Sequence, residues 1–178
     1  SFSLLVFATG PATTILLGRN AKVSHTAVSD ALETLDGPGF VTETLVFPDG
    51  AVDYRISPQS FFQTNSLGAQ ALYGLLRDWT RELAAPLILD LYCGGGGIAL
   101  SLAGAAEKVI GVESNASAVA DAKENAKLNG LENCDFYNAA VEFLLPSLLD
   151  MTPAAAVVDP PRAGLHAAPR FPHVAHER

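Results

Sequence analysis

One pattern restricts the fold of this chain more than any other: from Leu87 to Val158, short apolar runs alternate with helix-like ones. Residues 87–91 read as a short apolar strand of the kind found in a parallel sheet covered on both faces. Residues 109–112 form a second run closing on Glu113, 134–137 a third and 155–158 a fourth. Between them, 98–103, 115–128 and 141–149 read as helices, the second stopped by Asn129-Gly130. Strand and helix repeated in this order, with right-handed crossovers, predict an α/β fold with a doubly wound, mostly parallel sheet.

The first 58 residues follow another rhythm. Short β-like runs at 4–8, 13–17, 40–47 and 52–56 are punctuated by Gly10-Pro11, Gly37-Pro38-Gly39 and Pro48-Asp49-Gly50, and one short helix is expected over 28–35. The expected organisation is therefore a small β-rich segment, 1–58, and a second unit, 59–178. The second unit opens with a helix capped by Asn65 or Ser66. Its apolar residues Leu72, Leu75, Leu76, Trp79 and Leu83 recur at helical spacing and read as one buried face. Pro86 then resets the chain.

Composition sets the outer limits. With 178 residues, 49% hydrophobic and 17% charged, the chain is too apolar to be disordered and long enough for one domain with an appendage. A formal net charge of -8 argues against a wholesale electrostatic grip on nucleic acid, so any RNA contact must be local. Cys93 and Cys134 make neither a disulfide framework nor a metal-ligating pair, so no metal is expected and the cytoplasm is the default compartment. The opening apolar run lacks a basic flank and is broken by Gly10-Pro11, which fits neither a signal peptide nor a spanning helix. A chain that begins with Ser1 reads as a piece of something longer.

Two loops carry chemistry. Asp90-Leu91-Tyr92-Cys93-Gly94-Gly95-Gly96-Gly97 follows the first sheet strand, where missing side chains let a nucleotide-like ligand approach the backbone and the next helix offers free N–H groups. Gly94-x-Gly96-x-x-Ala99 also satisfies the dinucleotide fingerprint, and Glu113 could hold a ribose in either an NAD or an S-adenosylmethionine site. The second loop, Asp159-Pro160-Pro161-Arg162, leaves the fourth strand stiffly and holds Asp159 beside the same cleft. Tyr92, Glu113 and Asp159 all fall at carboxyl ends of strands, where open α/β sheets bind ligands. A dinucleotide oxidoreductase does not require a Pro-Pro loop, so the balance moves toward methyl transfer.

With these residues in view, the sequence resembles the RNA uracil-5-methyltransferases, the makers of 5-methyluridine, and is most similar to their 23S rRNA branch. The resemblance covers about residues 56–165. It rests on Ser57-Pro58-Gln59-Ser60-Phe61-Phe62-Gln63-Thr64-Asn65, the loop from Asp90 to Gly97, Val112-Glu113-Ser114-Asn115 through Asn125-Ala126-Lys127-Leu128-Asn129-Gly130, and Asp159-Pro160-Pro161-Arg162-Ala163-Gly164-Leu165. It implies a Rossmann-like class I methyltransferase core, S-adenosylmethionine as cofactor and RNA as partner, with rRNA expected ahead of tRNA and a monomeric protein. The residues it implies at the cofactor are Gln63, Tyr92, Glu113 and Asp159, with Gly94, Gly96 and Gly97 clearing room. After the third strand the family often has a polar residue near the adenine; this chain reads Asn138-Ala139-Ala140, which leaves that contact unassigned.

In that family a cysteine adds to uracil C6, C5 takes the methyl group, and a general base removes the C5 proton. The family's nucleophile stands in a Ser-Cys-Asn segment beyond the Pro-Pro-Arg loop, and no such segment occurs in these 178 residues. Cys93 and Cys134 match packing positions, so the chain as it stands is expected to bind cofactor without turnover. Phe171-Pro172-His173-Val174-Ala175-His176-Glu177 resembles the family's C-terminal Phe-Pro-His-Thr-x-His-x-Glu, which makes Glu177, one position early, the candidate base. Arg162 is a candidate for a phosphate or uracil carbonyl, Phe61 and Phe62 for stacking on a flipped base, and His25 for a structural role. Neither the family's N-terminal RNA-binding barrel nor its cysteine-ligated iron-sulfur cluster is represented. The alternatives are an amino-methyltransferase acting on nucleic acid, although Arg162 stands where its stacking aromatic would be, and a non-catalytic nucleotide-cofactor module.

Overall fold

A computed structural model describes residues 2–7, 13–19 and 31–160. Its centre is the parallel sheet that the alternating pattern requires. β6 (Leu87–Leu91), β7 (Lys108–Glu113), β8 (Cys134–Asn138) and β9 (Ala155–Val158) lie in the order β8-β7-β6-β9, all parallel. The crossovers are α2 (Gly97–Leu102), α3 (Ala116–Leu128) and α4 (Val141–Leu149). Every residue of β6 is buried, Asp90 included, as a strand covered on both faces demands. The order reverses between β6 and β9, and that is where such sheets open a crevice.

Before the sheet come β1 (Phe2–Phe7), β2 (Thr14–Arg19) and β3 (Ala31–Asp36), an antiparallel set in sequence order, and the hairpin of β4 (Val41–Phe47) and β5 (Gly50–Ile56). The helix expected over 28–35 is not what forms. Residues 28–30 lie outside the described residues, and Ala31–Asp36 is strand β3, paired antiparallel to β2. Eight residues with one short apolar stripe cannot offset helix nucleation, whereas the exposed edge of β2 supplies ready hydrogen-bond partners. Gly37, at φ 77°, ends the strand where a Cβ would collide with the Thr13 carbonyl oxygen.

Helix α1 (Ser66–Glu82) starts where predicted, with Asn65 Oδ1 accepting from the Gly68 N–H at 2.9 Å. Its buried face is a different one. Ala69, Tyr73, Arg77 and Thr80 face inward, while Leu72, Leu75, Trp79 and Leu83 are exposed and only Leu76 of the predicted stripe packs against the core. The polar residues go inside because each finds a partner. Arg77 donates to the Ser101 carbonyl and, at 2.5 Å, to Asp49, with its guanidinium 4.6 Å from the Phe47 ring centroid; the Thr80 hydroxyl donates to the Leu76 carbonyl.

The hairpin joins the same core as the sheet: Leu45, Phe47, Val52 and Tyr54 cluster with Tyr73, Ile88, Leu100 and Val109. Helix α3 fastens the other side of the hairpin. Asn129 exchanges hydrogen bonds with the main chain of Asp53 (2.8 and 2.7 Å) and Asn125 with that of Arg55 (2.7 and 3.0 Å), while Asp121 accepts from the Ser57 N–H and hydroxyl (3.0 and 2.6 Å). The spacings match: four helical residues rise about 6.0 Å and two strand residues about 6.6 Å. A helix can therefore follow a strand edge for three steps.

Candidate functional site

The site begins at Asp90, whose Oδ2 accepts from the Ala99 N–H at 2.8 Å and so ties the end of β6 to the first turn of α2. Between them the chain must turn sharply. The N–H groups of Tyr92 and Cys93 both donate to the Val112 carbonyl, at 2.9 and 3.1 Å, and Tyr92 adopts φ 67°. That left-handed conformation costs a bulky residue roughly 1–3 kcal/mol and is the kind of strain that collects at ligand sites. The glycines then follow. Gly96, at φ 84°, caps α2 with its Cβ position 3.1 Å from the Ala122 methyl, and Gly94, at φ 53°, would place a Cβ with no described neighbour nearer than the Phe61 carbonyl at 3.7 Å.

At the end of β7, Glu113 is fixed by three donors. Its Oε2 accepts from the Gly94 N–H at 3.2 Å, and its Oε1 from the Asn115 N–H at 2.7 Å and the Ser114 hydroxyl at 3.2 Å. Gln63 arrives from outside the sheet on the Ser57–Asn65 segment. That segment is pinned by Ser57 to Asp121, by the Asn115 side-chain amide donating to the Gln59 carbonyl at 3.2 Å, and by Phe62 against Tyr54, ring centroids 5.2 Å apart.

Gln63, Tyr92, Gly94, Glu113 and Asp159 all line one cleft of about 720 Å³, with Phe61, 70% exposed, at its rim. Gly97 lines an inner recess of about 40 Å³ that shares Gln63, Tyr92, Gly94 and Asp159 with the cleft. Gly96 borders neither; it is buried behind the loop against Ala122 and Leu100. Glu177, Arg162 and His25 lie outside the described residues. One lining residue escaped the sequence reading: Glu142, in the first turn of α4, accepts from the Tyr92 hydroxyl at 3.0 Å. Its signal was position, just past the strand end that left Asn138-Ala139-Ala140 without an obvious ligand.

Burial governs the titrating groups. Desolvation, opposed by the Ala99 N–H and reinforced by Asp159 and Glu113, pushes Asp90 up to about 7. Burial also pushes up the Cys93 thiol, assisted by Asp90 and Glu113, and takes Cys134 up to about 12. Both thiols stay protonated at neutral pH, the opposite of a nucleophile's requirement. Among the described residues no cluster of His, Cys, Asp and Glu could hold a metal ion, and no helix is long and apolar enough to cross a membrane.

The Asp90 shift has a thermodynamic consequence. Between about pH 4 and pH 7 the folded chain retains a proton that the unfolded chain, with a carboxyl near 3.8, has already lost. Stability therefore falls as pH rises across that window, by an amount on the order of a few kcal/mol, and levels off above it. Thermal melts from pH 4 to 8 should show this decline once the contributions of other groups are matched, and Asp90→Asn, which keeps an acceptor for Ala99, should remove it. A variant with the wild-type pH slope would refute the assignment.

Comparison with known proteins settles the family. A family model described as tRNA (Uracil-5-)-methyltransferase matches residues 34–151. The chain belongs to this family. Among tRNA (uracil-5-)-methyltransferase relatives, homolog A of Homo sapiens is 41% identical over 138 residues, 76% of this chain and 21% of that protein. An uncharacterized RNA methyltransferase of Clostridium tetani is 40% identical over 147 residues, 83% of this chain and 31% of that protein. The chain thus spans about a third or less of the length of these curated relatives. The crystal structure of Pyrococcus abyssi tRNA (uracil-54, C5)-methyltransferase in complex with S-adenosyl-L-homocysteine superposes with a TM-score of 0.62 at 30% identity, over 88% of this chain and 37% of that one. A 16S rRNA methyltransferase of T. thermophilus in complex with S-adenosylmethionine shares the architecture at TM-score 0.51 and 19% identity.

The residues present suit that cofactor. An anchored carboxylate stands at the strand end where a ribose diol can meet it, the loop main chain is open at Gly94, and the cleft's volume accommodates a ligand of that size.

Proposed function

We propose that this chain forms the cofactor-binding core of an S-adenosylmethionine-dependent RNA methyltransferase that modifies C5 of a uridine, acting in the cytoplasm as a monomer on 23S rRNA. The observation that supports it most is the convergence of Gln63, Tyr92, Glu113 and Asp159 on one cleft from four separate stretches of sequence. In this reading Glu113 accepts the ribose hydroxyls, Gln63 donates and accepts at the amino-acid end, and Asp159 borders the mouth where the substrate base arrives. When bound, S-adenosylmethionine supplies an electrophilic methyl group. Phe61, at the rim, offers a face for a flipped base. Glu177 serves as the base for the C5 proton.

The 23S rRNA substrate rests on the resemblance in the Ser-Phe-Phe-Gln-Thr-Asn segment and the loops. A tRNA substrate is the second reading, favoured by the human relative and by the Pyrococcus protein, both tRNA methyltransferases by name. Neither cysteine is suited to attack C6, so the 178-residue chain binds cofactor and does not methylate. Calorimetric titration with S-adenosylhomocysteine should give saturable heat, and incubation with labelled S-adenosylmethionine and unmodified rRNA or tRNA transcripts should give no incorporation. Absence of binding would overturn the cofactor site, and 5-methyluridine formed by this chain would overturn the assignment of its cysteines.

A further inference from the structure

Glu43 stands where its strand calls for an apolar side chain. The inward positions of β4 are Val41, Glu43, Leu45 and Phe47; the last two are buried in the core, while Thr42, Thr44 and Val46 between them are exposed. The Glu43 side chain is half-buried, and among the described residues it has no hydrogen-bond or ion-pair partner. A carboxylate drawn partly out of water without a partner is costly, which points to a partner that arrives from outside. Glu43 lines a cavity of about 240 Å³ walled by Phe40, Val41, Ile56, Pro58 and Phe62, and it is the one charged residue among the described residues there. Thr14 and Ser57, also on the wall, already donate their hydroxyls to the Asp36 carbonyl and to Asp121.

This cavity adjoins the cofactor cleft. Gln63 lines both, and the consecutive rings of Phe61 and Phe62 part beside it: Phe61 at the rim of the cleft, Phe62 against Tyr54 and the cavity. An RNA strand with one base at Phe61 therefore has its next base within a side chain's width of the cavity. The volume lies below the roughly 300–1,000 Å³ of small-molecule sites, which suits one flat ring system better than a whole nucleotide. Behind the wall, the Arg55 guanidinium sits 4.6 Å from the Phe40 ring centroid; its side chain is 38% exposed and only loosely paired with Asp121, at 3.7 Å. It supplies the local positive charge that a phosphate needs on an otherwise acidic chain.

We propose that this cavity receives the base next to the target uridine and selects guanine, whose N1–H and 2-amino group donate to the two oxygens of Glu43. The proposal rests on the RNA uracil-methyltransferase reading above. A carboxylate can only accept, and guanine alone presents two donors side by side on its pairing edge. Adenine and cytosine offer one amino group with an acceptor beside it, and uracil offers one N–H between two acceptors, so each would set a lone pair against Glu43. The apolar walls take the faces of the ring, the way unstacked bases of single-stranded RNA are held.

Fluorescence anisotropy on the full 178-residue chain, saturated with S-adenosylhomocysteine, tests this with short labelled single-stranded RNAs in which a uridine is flanked on both sides by guanine, inosine, adenine or cytosine. The guanine RNA should bind about tenfold or more tightly than the adenine and cytosine RNAs. Inosine keeps N1–H and lacks the 2-amino group, so its RNA should fall between them; this series needs no variant. Glu43→Gln, of the same shape and checked by thermal melts, should weaken the guanine RNA about tenfold and level the ranking. Equal affinities across the four RNAs, a Glu43→Gln chain that keeps the wild-type ranking, or a chain that binds S-adenosylhomocysteine and no RNA would each overturn the guanine pocket and leave the cofactor site standing. A chain that binds neither S-adenosylhomocysteine nor RNA overturns the underlying reading, and the proposal with it.

Discussion

Glu113→Ala is expected to lose S-adenosylhomocysteine binding by a hundredfold or more, about 3 kcal/mol. On the proposed reading, the substitution removes two charge-assisted hydrogen bonds to the ribose, each on the order of 1.5–3 kcal/mol. It also releases the Gly94 and Asn115 N–H groups, which hold the glycine loop and the start of α3 against β7. Glu113→Gln keeps the shape and one acceptor oxygen, so its loss should be nearer tenfold. Calorimetric titration gives both values, with thermal melts to show that the variants fold. An alanine variant binding within threefold of wild type would remove Glu113 from the site.

Asn125→Leu should lower folding stability by about 3 kcal/mol. Asn125 is 1% exposed, and its amide satisfies both main-chain groups of Arg55 while also donating to the Gly95 carbonyl at 3.4 Å. Leucine has nearly the same volume but leaves those partly buried groups without a partner, which is the costly half of breaking a hydrogen bond. Asn129→Leu removes the equivalent pair at Asp53 in a more exposed position and should cost less. Chemical denaturation of the two variants would check the order. Equal midpoints for Asn125→Leu and wild type would mean that the helix does not hold the hairpin.

The parallel sheet was readable because each signal was local: an apolar run, a glycine loop, an acid or Asn-Gly at the boundary. All four sheet strands and the three crossover helices fall within one or two residues of the positions read from the sequence. That Tyr92, Glu113 and Asp159 would line one cleft was readable for the same reason, since strand ends in such a sheet converge, whereas Gln63 comes in from outside the sheet and was named only through the resemblance. What failed depended on partners distant in sequence. No local pattern says that Ala31–Asp36 will pair with β2, or that Arg77 will be buried because Asp49 and Ser101 await it while Leu72 and Trp79 stay outside. Glu142 belongs with these: its place in the cleft follows from the Tyr92 turn fifty residues earlier. Asn125 and Asn129 were noticed as part of a motif, but their work became visible only with β5 beside them.

That pairing bears on how the molecule behaves in company. A two-stranded sheet ordinarily leaves a row of main-chain donors and acceptors facing outward, a template on which another chain can add a strand and begin to aggregate. Natural sheets blunt such rims with prolines, lysines or bulges. Here carboxamide and carboxylate groups spaced along one helix occupy the rim of β5 at alternate residues, so the hairpin can be short and apolar on its inner face without recruiting a neighbour.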